Sequence, residues 1–392
     1  MGAKPAHSGI CVAEGFKAAG TACGLKADGS LDLCVIAAEK RCAAAATFTT
    51  NAFRAAPIEV TMEHIKDGYL QAVVVNSGNA NAWTGERGVE DARSMAGILA
   101  EKTGVDARDV AVASTGPIGR FLDMDKIAGG IAEAAGRLDR EGCDDAARAI
   151  MTTDTRPKEA AWDHGDFRVG GIAKGAGMIK PDMATMLAFI TTDAVTTPER
   201  LQRALRKAVD ETFNRITIDG CTSTNDMVLA LASGASGTDP DGGELEGALH
   251  EACSNLARNI VEDGEGATKL VAVRVHEARD MAEARHAAAA VAESALVKTA
   301  LFGGDPNWGR VVQALGQAVK DIEAGKVRVR IGGITAAAAG EPAGAESGSL
   351  EAAVAGGEIG LDIFLGRGGA AIEILTCDYS YDYVKINAEY HS

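Results

Sequence analysis

A mixed α/β fold is what this sequence predicts, on three observations. Short apolar runs end at Gly, Asn or Pro as strands do, and apolar residues recur at helical spacing between many of them. The 392 residues suffice for two lobes or one large layered domain with a sizeable core. Hydrophobic and charged fractions of 46% and 24% are ordinary for a globular chain and set disorder aside.

In the first third, residues 31–37, 43–49, 58–62 and 70–75 read as strands. The last runs into Asn76-Ser77-Gly78-Asn79-Ala80-Asn81-Ala82-Trp83-Thr84-Gly85, a loop too long for a hairpin turn and rich in side-chain donors. Ala92, Met95, Ala96 and Leu99 then mark a helix that Gly104 is placed to end. A strand over 109–113 leads into Ser114-Thr115-Gly116-Pro117-Ile118-Gly119. Such a turn exposes backbone N–H groups and is a candidate anion or oxyanion site, although ordinary strand-to-helix connections use glycine too. Helices are expected over 123–135 and 144–151, and a strand over 167–172.

Thr197 as N-cap, Pro198 and Glu199 announce a helix with Leu201, Leu205, Ala208 and Val209 on one face. A strand pair is expected at 215–219 and 226–232, around Cys221-Thr222-Ser223-Thr224-Asn225. Leu245, Leu249, Ala252, Leu256 and Ile260 mark a helix that stops at Asp263-Gly264-Glu265-Gly266. A strand over 270–275 and an Ala-rich helix over 281–296 follow. Gly303 to Arg310 reads as a rigid loop with Trp308 and Arg310 at its exit, and 335–357 as a surface connection that is mobile or holds a short helix. Strands over 327–331, 361–365 and 371–376 complete the pattern, and the last residues are mostly polar.

The net charge of −16, with Lys and Arg only in short clusters, argues against nucleic acid and against an anionic membrane surface. Eight cysteines without a C-x-x-C pair read as buried free thiols in a reducing cytosol. Met1-Gly2-Ala3-Lys4-Pro5 lacks the apolar core of a signal peptide, and no run approaches the ~20 apolar residues of a membrane span, so a cytoplasmic protein is expected. Gly175-Ala176-Gly177 lacks the third glycine of a dinucleotide loop, and there is no phosphate-binding G-x-x-x-x-G-K-[ST], so no cofactor is called for. The seven histidines form no ligand set, so no metal is expected.

What remains is hydroxyl chemistry. Between Lys174 and Asp193 a Gly-flanked lysine, the small Ala184-Thr185 junction and an apolar run from Met186 to Ile190 place a hydroxyl where a loop meets the core. A threonine hydroxyl needs a base, and an N-terminal threonine supplies its own, because a free α-amine has a pKa near ~8. That amine exists only if the Ala184-Thr185 peptide is cut. Attack of the Thr185 hydroxyl on the preceding carbonyl would give an ester that water can open, and Ala184 leaves room for it. The residues alone also allow Thr185 to be a plain strand-edge residue.

At Lys174-Gly175-Ala176-Gly177-Met178-Ile179 and Ala184-Thr185-Met186-Leu187 the chain resembles the ornithine acetyltransferase family, the bifunctional ArgJ enzymes of arginine biosynthesis. Further matching stretches are Gly15-Phe16, Asn76-Ser77-Gly78-Asn79-Ala80-Asn81-Ala82, Ser114-Thr115-Gly116, Thr152-Thr153-Asp154-Thr155, Asp263-Gly264-Glu265-Gly266-Ala267, Asp305-Pro306-Asn307-Trp308-Gly309-Arg310 and Lys385-Ile386-Asn387-Ala388-Glu389-Tyr390. The resemblance implies a layered N-terminal-nucleophile-like α/β sandwich (DmpA/ArgJ-like), self-cleaved between Ala184 and Thr185 into an alpha chain, 1–184, and a beta chain, 185–392.

By the same resemblance the enzyme is a glutamate N-acetyltransferase that moves acetyl from N2-acetylornithine to L-glutamate through an acetyl-Thr185 ester. Acetyl-CoA is a second candidate donor. Thr115 and Gly116 match the oxyanion site, and Thr152, Lys174, Thr185, Glu265, Asn387 and Ser392 match substrate contacts. The assembly implied is a heterotetramer of two alpha and two beta chains. Tyr390-His391-Ser392 departs from the commoner family ending, and Trp83 stands where a smaller residue is usual. A related self-processing amidase or aminopeptidase, in which water takes the acyl group, and an uncleaved amino-acid-binding protein are the competing readings.

Overall fold

The computed structural model describes residues 9–180 and 186–389. They form two compact units, one from residues 9–214 and 221–260, the other from 215–220 and 261–389.

The first unit is built on β1 (Phe16–Thr21), β2 (Leu33–Phe48), β3 (Tyr69–Ser77), β4 (Val110–Thr115), β5 (Lys158–Asp163), β6 (Arg168–Lys174), β7 (Leu187–Thr192) and β8 (Met227–Ala232). Their order is β4-β3-β2-β8-β7-β6-β5, with β1 paired to β2. The β3–β4 and β7–β8 pairs are parallel and the others antiparallel. Its helices are α1 (Ala56–His64), α2 (Gly85–Thr103), α3 (Met124–Gly136), α4 (Cys143–Ala149) and α5 (Pro198–Glu211); α6 (Gly242–Glu262) follows.

The sheet is apolar on both faces because helices lie on both. Ala72 and Val74 of β3 pack with Met95, Leu99, Ile127 and Ile131 of α2 and α3, while Val73 and Val75 join the core that holds Ala146 and Ala147 of α4. A strand covered twice needs no polar alternation, which is why β3, β4, β7 and β8 read as continuous apolar runs.

In the second unit, β9 (Leu270–Ala278), β10 (Arg328–Ile331), β11 (Ile334–Ala338), β12 (Glu341–Pro342), β13 (Glu358–Phe364) and β14 (Ala370–Cys377) order as β12-β11-β10-β13-β9-β14. Its helices are α7 (Met281–Ala292), α8 (Ala295–Phe302), α9 (Trp308–Ala318), α10 (Ser349–Val354) and α11 (Tyr381–Glu389). Here the strands alternate. Val273, Val275, Leu361 and Ile363 face a core shared with Ala284, Val291, Val311 and Leu315. Between them Arg274 pairs with Glu373 at 2.6 Å and His276 with Asp362 at 3.0 Å.

The layered α/β class is the one expected, but several elements differ. Residues 58–62 are not a strand but part of α1, and the reason lies outside the segment. β4 is an edge strand; Thr61 Oγ1 donates to the Val112 carbonyl and accepts its N–H, each at 2.8 Å, and His64 Nδ1 lies 2.7 Å from the Val110 carbonyl. A helix thus covers an edge that would otherwise invite another strand. The strands expected at 31–37 and 43–49 are one long β2 whose register slips between Ala37 and Cys42.

Residues 215–219 form no strand; Ile216 makes only an isolated bridge to Leu375. The helix expected over 281–296 breaks at Ser294, whose hydroxyl caps α8. Trp308 and Arg310 open α9, capped by Asn307, where a loop was expected. The 335–357 connection contains β11, β12 and α10 strand and helix residues, and β5 was not anticipated. All eight cysteines are free, but Cys221 is exposed and Cys23 half-buried.

Candidate active site

The asparagine-rich loop after β3 turns its donors inward. Asn76 Nδ2 donates to the Asn79 carbonyl at 2.8 Å, and Asn76 Oδ1 accepts from Ser114 Oγ at 2.6 Å. Asn79 Nδ2 donates to the Phe121 carbonyl at 3.1 Å, and Asn81 Nδ2 to the Gly88 carbonyl at 2.8 Å. The loop therefore works as a clamp on the end of β4.

That clamp orients one peptide. Asn79 N–H donates to the Thr115 carbonyl at 3.1 Å. A trans peptide points its carbonyl and its N–H in opposite directions, so the Gly116 N–H faces away from Asn79. Gly116 has φ +138°, and a Cβ there would lie 2.4 Å from Asn79 N and 2.6 Å from the Gly78 carbonyl carbon. Only glycine permits this approach. Thr115 is buried, and its hydroxyl accepts from Lys174 Nζ at 3.4 Å.

Lys174 closes β6 and is 4% exposed, so it is no solvated loop charge. It lies opposite Leu187 in the register, and Leu187 lies beside Met227, which brings the starts of β7 and β8 next to it. Two buried carboxyls feel its charge. Burial opposes ionisation of Asp154, but Lys174 and Lys158, with the Gly175 N–H, outweigh it and hold the carboxyl down at about 2. Asp154 Oδ1 accepts from Lys158 Nζ at 2.6 Å and from Gly175 N–H at 2.7 Å, while Oδ2 accepts from Thr152 N–H at 3.0 Å. One carboxylate thus fixes the backbone at Thr152 and next to Lys174.

Asp226 is the contrary case. Complete burial pushes its carboxyl well above the ordinary value, against the pull of the Met186 N–H and Lys174. Its Oδ1 accepts from Met186 N–H at 3.0 Å, and among the described residues Oδ2 has no hydrogen-bond partner.

In the second unit Glu265 is 8% exposed and its Oε2 accepts from Asn387 Nδ2 at 2.8 Å. Asn387 stands on α11 rather than on a frayed end. Thr115, Gly116, Thr152 and Lys174 belong to the first unit and Glu265 and Asn387 to the second. Ala184, Thr185 and Ser392, with Tyr390 and His391, lie outside the described residues.

Sequence reasoning gave no role to Asp154, Lys158, Asn225 or Asp226. Asp154 stood in the quoted Thr152-Thr153-Asp154-Thr155 stretch; nothing local marks Asp226, whose meaning comes from the strand register. Trp83 is 71% exposed with φ 58° and packs on Phe53 at 5.2 Å. Among the described residues no group of three or more His, Cys, Asp or Glu could hold a metal ion, and no helix is long and apolar enough to cross a membrane.

A hydroxyl, a peptide N–H that faces away from Asn79 and a buried lysine are groups that can steady a developing anion of the kind acyl transfer forms. The chain matches the ArgJ family over residues 17–392 and belongs to it. It is 45% identical to the arginine biosynthesis bifunctional protein ArgJ of Symbiobacterium thermophilum, over 98% of this chain and 98% of that one. It is 44% identical to the glutamate N-acetyltransferase of Methanopyrus kandleri, over 94% and 97%. Among solved structures, it is 42% identical to ornithine acetyltransferase complexed with ornithine from Mycobacterium tuberculosis, over 46% of this chain and 96% of that one, with a TM-score of 0.44.

Proposed function

We propose that this ArgJ-family acyltransferase moves an acetyl group from N2-acetylornithine to L-glutamate, a step of arginine biosynthesis, with Thr185 as nucleophile. Family membership over nearly the whole chain supports the reaction. The observation that carries the site is the Thr115-Gly116 peptide, whose carbonyl accepts from the Asn79 N–H so that its own N–H faces away from Asn79, with Lys174 Nζ 3.4 Å from the Thr115 hydroxyl.

Cleavage of the Ala184-Thr185 bond frees the Thr185 α-amine and gives chains of 184 and 392 − 184 = 208 residues. The Thr185 hydroxyl attacks the acetamide carbonyl and passes its proton to its own amine. Thr115 Oγ1 and the Gly116 N–H stabilise the oxyanion; each such donor is worth ~3 kcal/mol. The C–N bond breaks as the proton moves to the departing ornithine amine, leaving the acetyl ester. The glutamate amine then attacks the ester, and its proton returns through the α-amine to the Thr185 oxygen.

Lys174 suits a substrate carboxylate and Glu265 an ammonium, with Thr152, Asn387 and Ser392 as neutral partners. Acetyl-CoA as a second donor, an assembly of two alpha and two beta chains, and a cytoplasmic location complete the reading.

The test is acceptor dependence on purified protein. Acetylornithine should be consumed at least about tenfold faster with glutamate than without, because water is the poorer acceptor for the ester. Equal rates would make the enzyme an amidase. Denaturing electrophoresis should give two fragments, and Thr185→Ala should abolish both cleavage and turnover; activity from an intact chain overturns the nucleophile.

A further inference from the structure

Asn225 and Asp226 stand side by side at the entry to β8, and their side chains reach in different directions. Asn225 is 6% exposed. Its Nδ2 donates to the Ser114 carbonyl at 2.8 Å and to the Ala80 carbonyl at 2.7 Å, and its Oδ1 accepts from Thr224 Oγ1 at 2.6 Å. The Ser114 carbonyl belongs to the peptide that enters Thr115, and Ala80 lies in the loop that clamps the Thr115-Gly116 peptide. One carboxamide therefore ties the strand end to its clamp.

Asp226 reaches the other way. Its Oδ1 takes the N–H of Met186, the atom that closes the peptide bond to Thr185. The backbone repeats the tie, for Met227 N–H donates to the Met186 carbonyl at 3.1 Å and Thr49 N–H to the Asp226 carbonyl at 3.0 Å. Nothing in the backbone ladders needs either side-chain bond. Both are buried, directional and aimed at the two peptides next to Thr115 and Thr185.

We infer that Asn225 and Asp226 are a pair of positioning residues that ties the oxyanion turn to the strand that begins after the nucleophile, so that donor and nucleophile keep one spacing through the acetyl-ester cycle. The inference rests on the reading of Thr185 and Thr115-Gly116 given above. Burial, which raises the Asp226 carboxyl, agrees with it, since a carboxamide in its place keeps an oxygen that can accept the Met186 N–H.

The experiment uses the full chain and compares Asn225→Asp, Asp226→Ala and Asp226→Asn, with Thr185→Ala as control. Circular dichroism and thermal unfolding report folding, electrophoresis reports cleavage, and steady-state kinetics report kcat and KM for both substrates. A carboxylate at 225 has no donor for the two carbonyls, so Asn225→Asp should lower kcat about 100-fold, as a misplacement near 1 Å does, with KM within about threefold. Asp226→Ala should slow cleavage and lower kcat about 30-fold, and Asp226→Asn should restore at least half of that loss on a logarithmic scale.

If Asn225→Asp does not fold, Asn225→Ser carries the same test with a smaller expected fall. Folded Asn225 variants with parental kcat, or with raised KM and unchanged kcat, overturn the inference; so does an Asp226→Asn no better than Asp226→Ala. An inactive Thr185→Ala beside unaffected 225 and 226 variants refutes this pair alone, whereas an active Thr185→Ala refutes the underlying reading.

Discussion

Replacing Asp154 by Asn removes the charge that faces Lys158 and Lys174 while changing the side-chain shape little. Both Asp154 and Lys158 side chains are fully buried, and their contact is 2.6 Å. Burial alone would raise the Asp154 carboxyl, but the lysines bring it from 3.8 to about 2, so its ionisation contributes about 2 kcal/mol of stability at neutral pH. Removing one partner of a buried pair also strands the other, which typically costs about 3–5 kcal/mol. We expect a loss of about 3 kcal/mol in urea unfolding of Asp154→Asn at pH 7.

The folded protein holds fewer protons than the unfolded chain between about 2 and 3.8. The parent's advantage over Asp154→Asn should therefore be complete above that window and vanish as pH falls through about 2. Because Asp154 also holds the Thr152 and Gly175 N–H groups, KM for acetylornithine should rise about tenfold at a temperature where the variant stays folded. A loss under about 1 kcal/mol at pH 7 would refute the electrostatic account.

Three further outcomes are expected. Gly116→Ala places a Cβ 2.4 Å from Asn79 N and should lower kcat about 100-fold; a rate within threefold of the parent would mean that the turn does not present the oxyanion donor. Asp226→Asn should raise the melting temperature more at pH 8 than at pH 5. The parent's folded state favours the protonated carboxyl, so that contribution is full below 3.8 and declines as pH rises, by up to about 1.4 kcal/mol per pH unit; equal differences at both pH values would count against it. Glu265→Gln should raise KM for acetylornithine about tenfold with kcat within about threefold, measured at saturating glutamate, and an unchanged KM would remove Glu265 from the ammonium site.

Elements with strong local signals were readable from the chain. Thr197 and Pro198 start α5 as expected, and Gly104 ends α2 in the left-handed conformation. The apolar run after Met186 is the fully buried β7. Where local and distant demands conflicted, the chain misled. Ile58-Glu59-Val60-Thr61-Met62 alternates like a strand, yet Thr61 is needed on a helix to satisfy the edge of β4. Asn307 and Ser294 are N-caps whose signals were present but masked by surrounding Gly, Pro and Ala.

By itself, then, the sequence determined the α/β class and the motifs that tie the chain to its family, and it singled out the stretch from Lys174 to Asp193 as the place proposed for the chemistry. Tertiary structure decided which polar groups stand together. Asp154 acts on Lys174 across 20 positions of sequence, and Asn225 holds the Ser114 carbonyl 111 residues away. Spacing along a chain encodes faces of helices and strands, but the partners of a buried charge or carboxamide are fixed only when the sheet brings its strands into register.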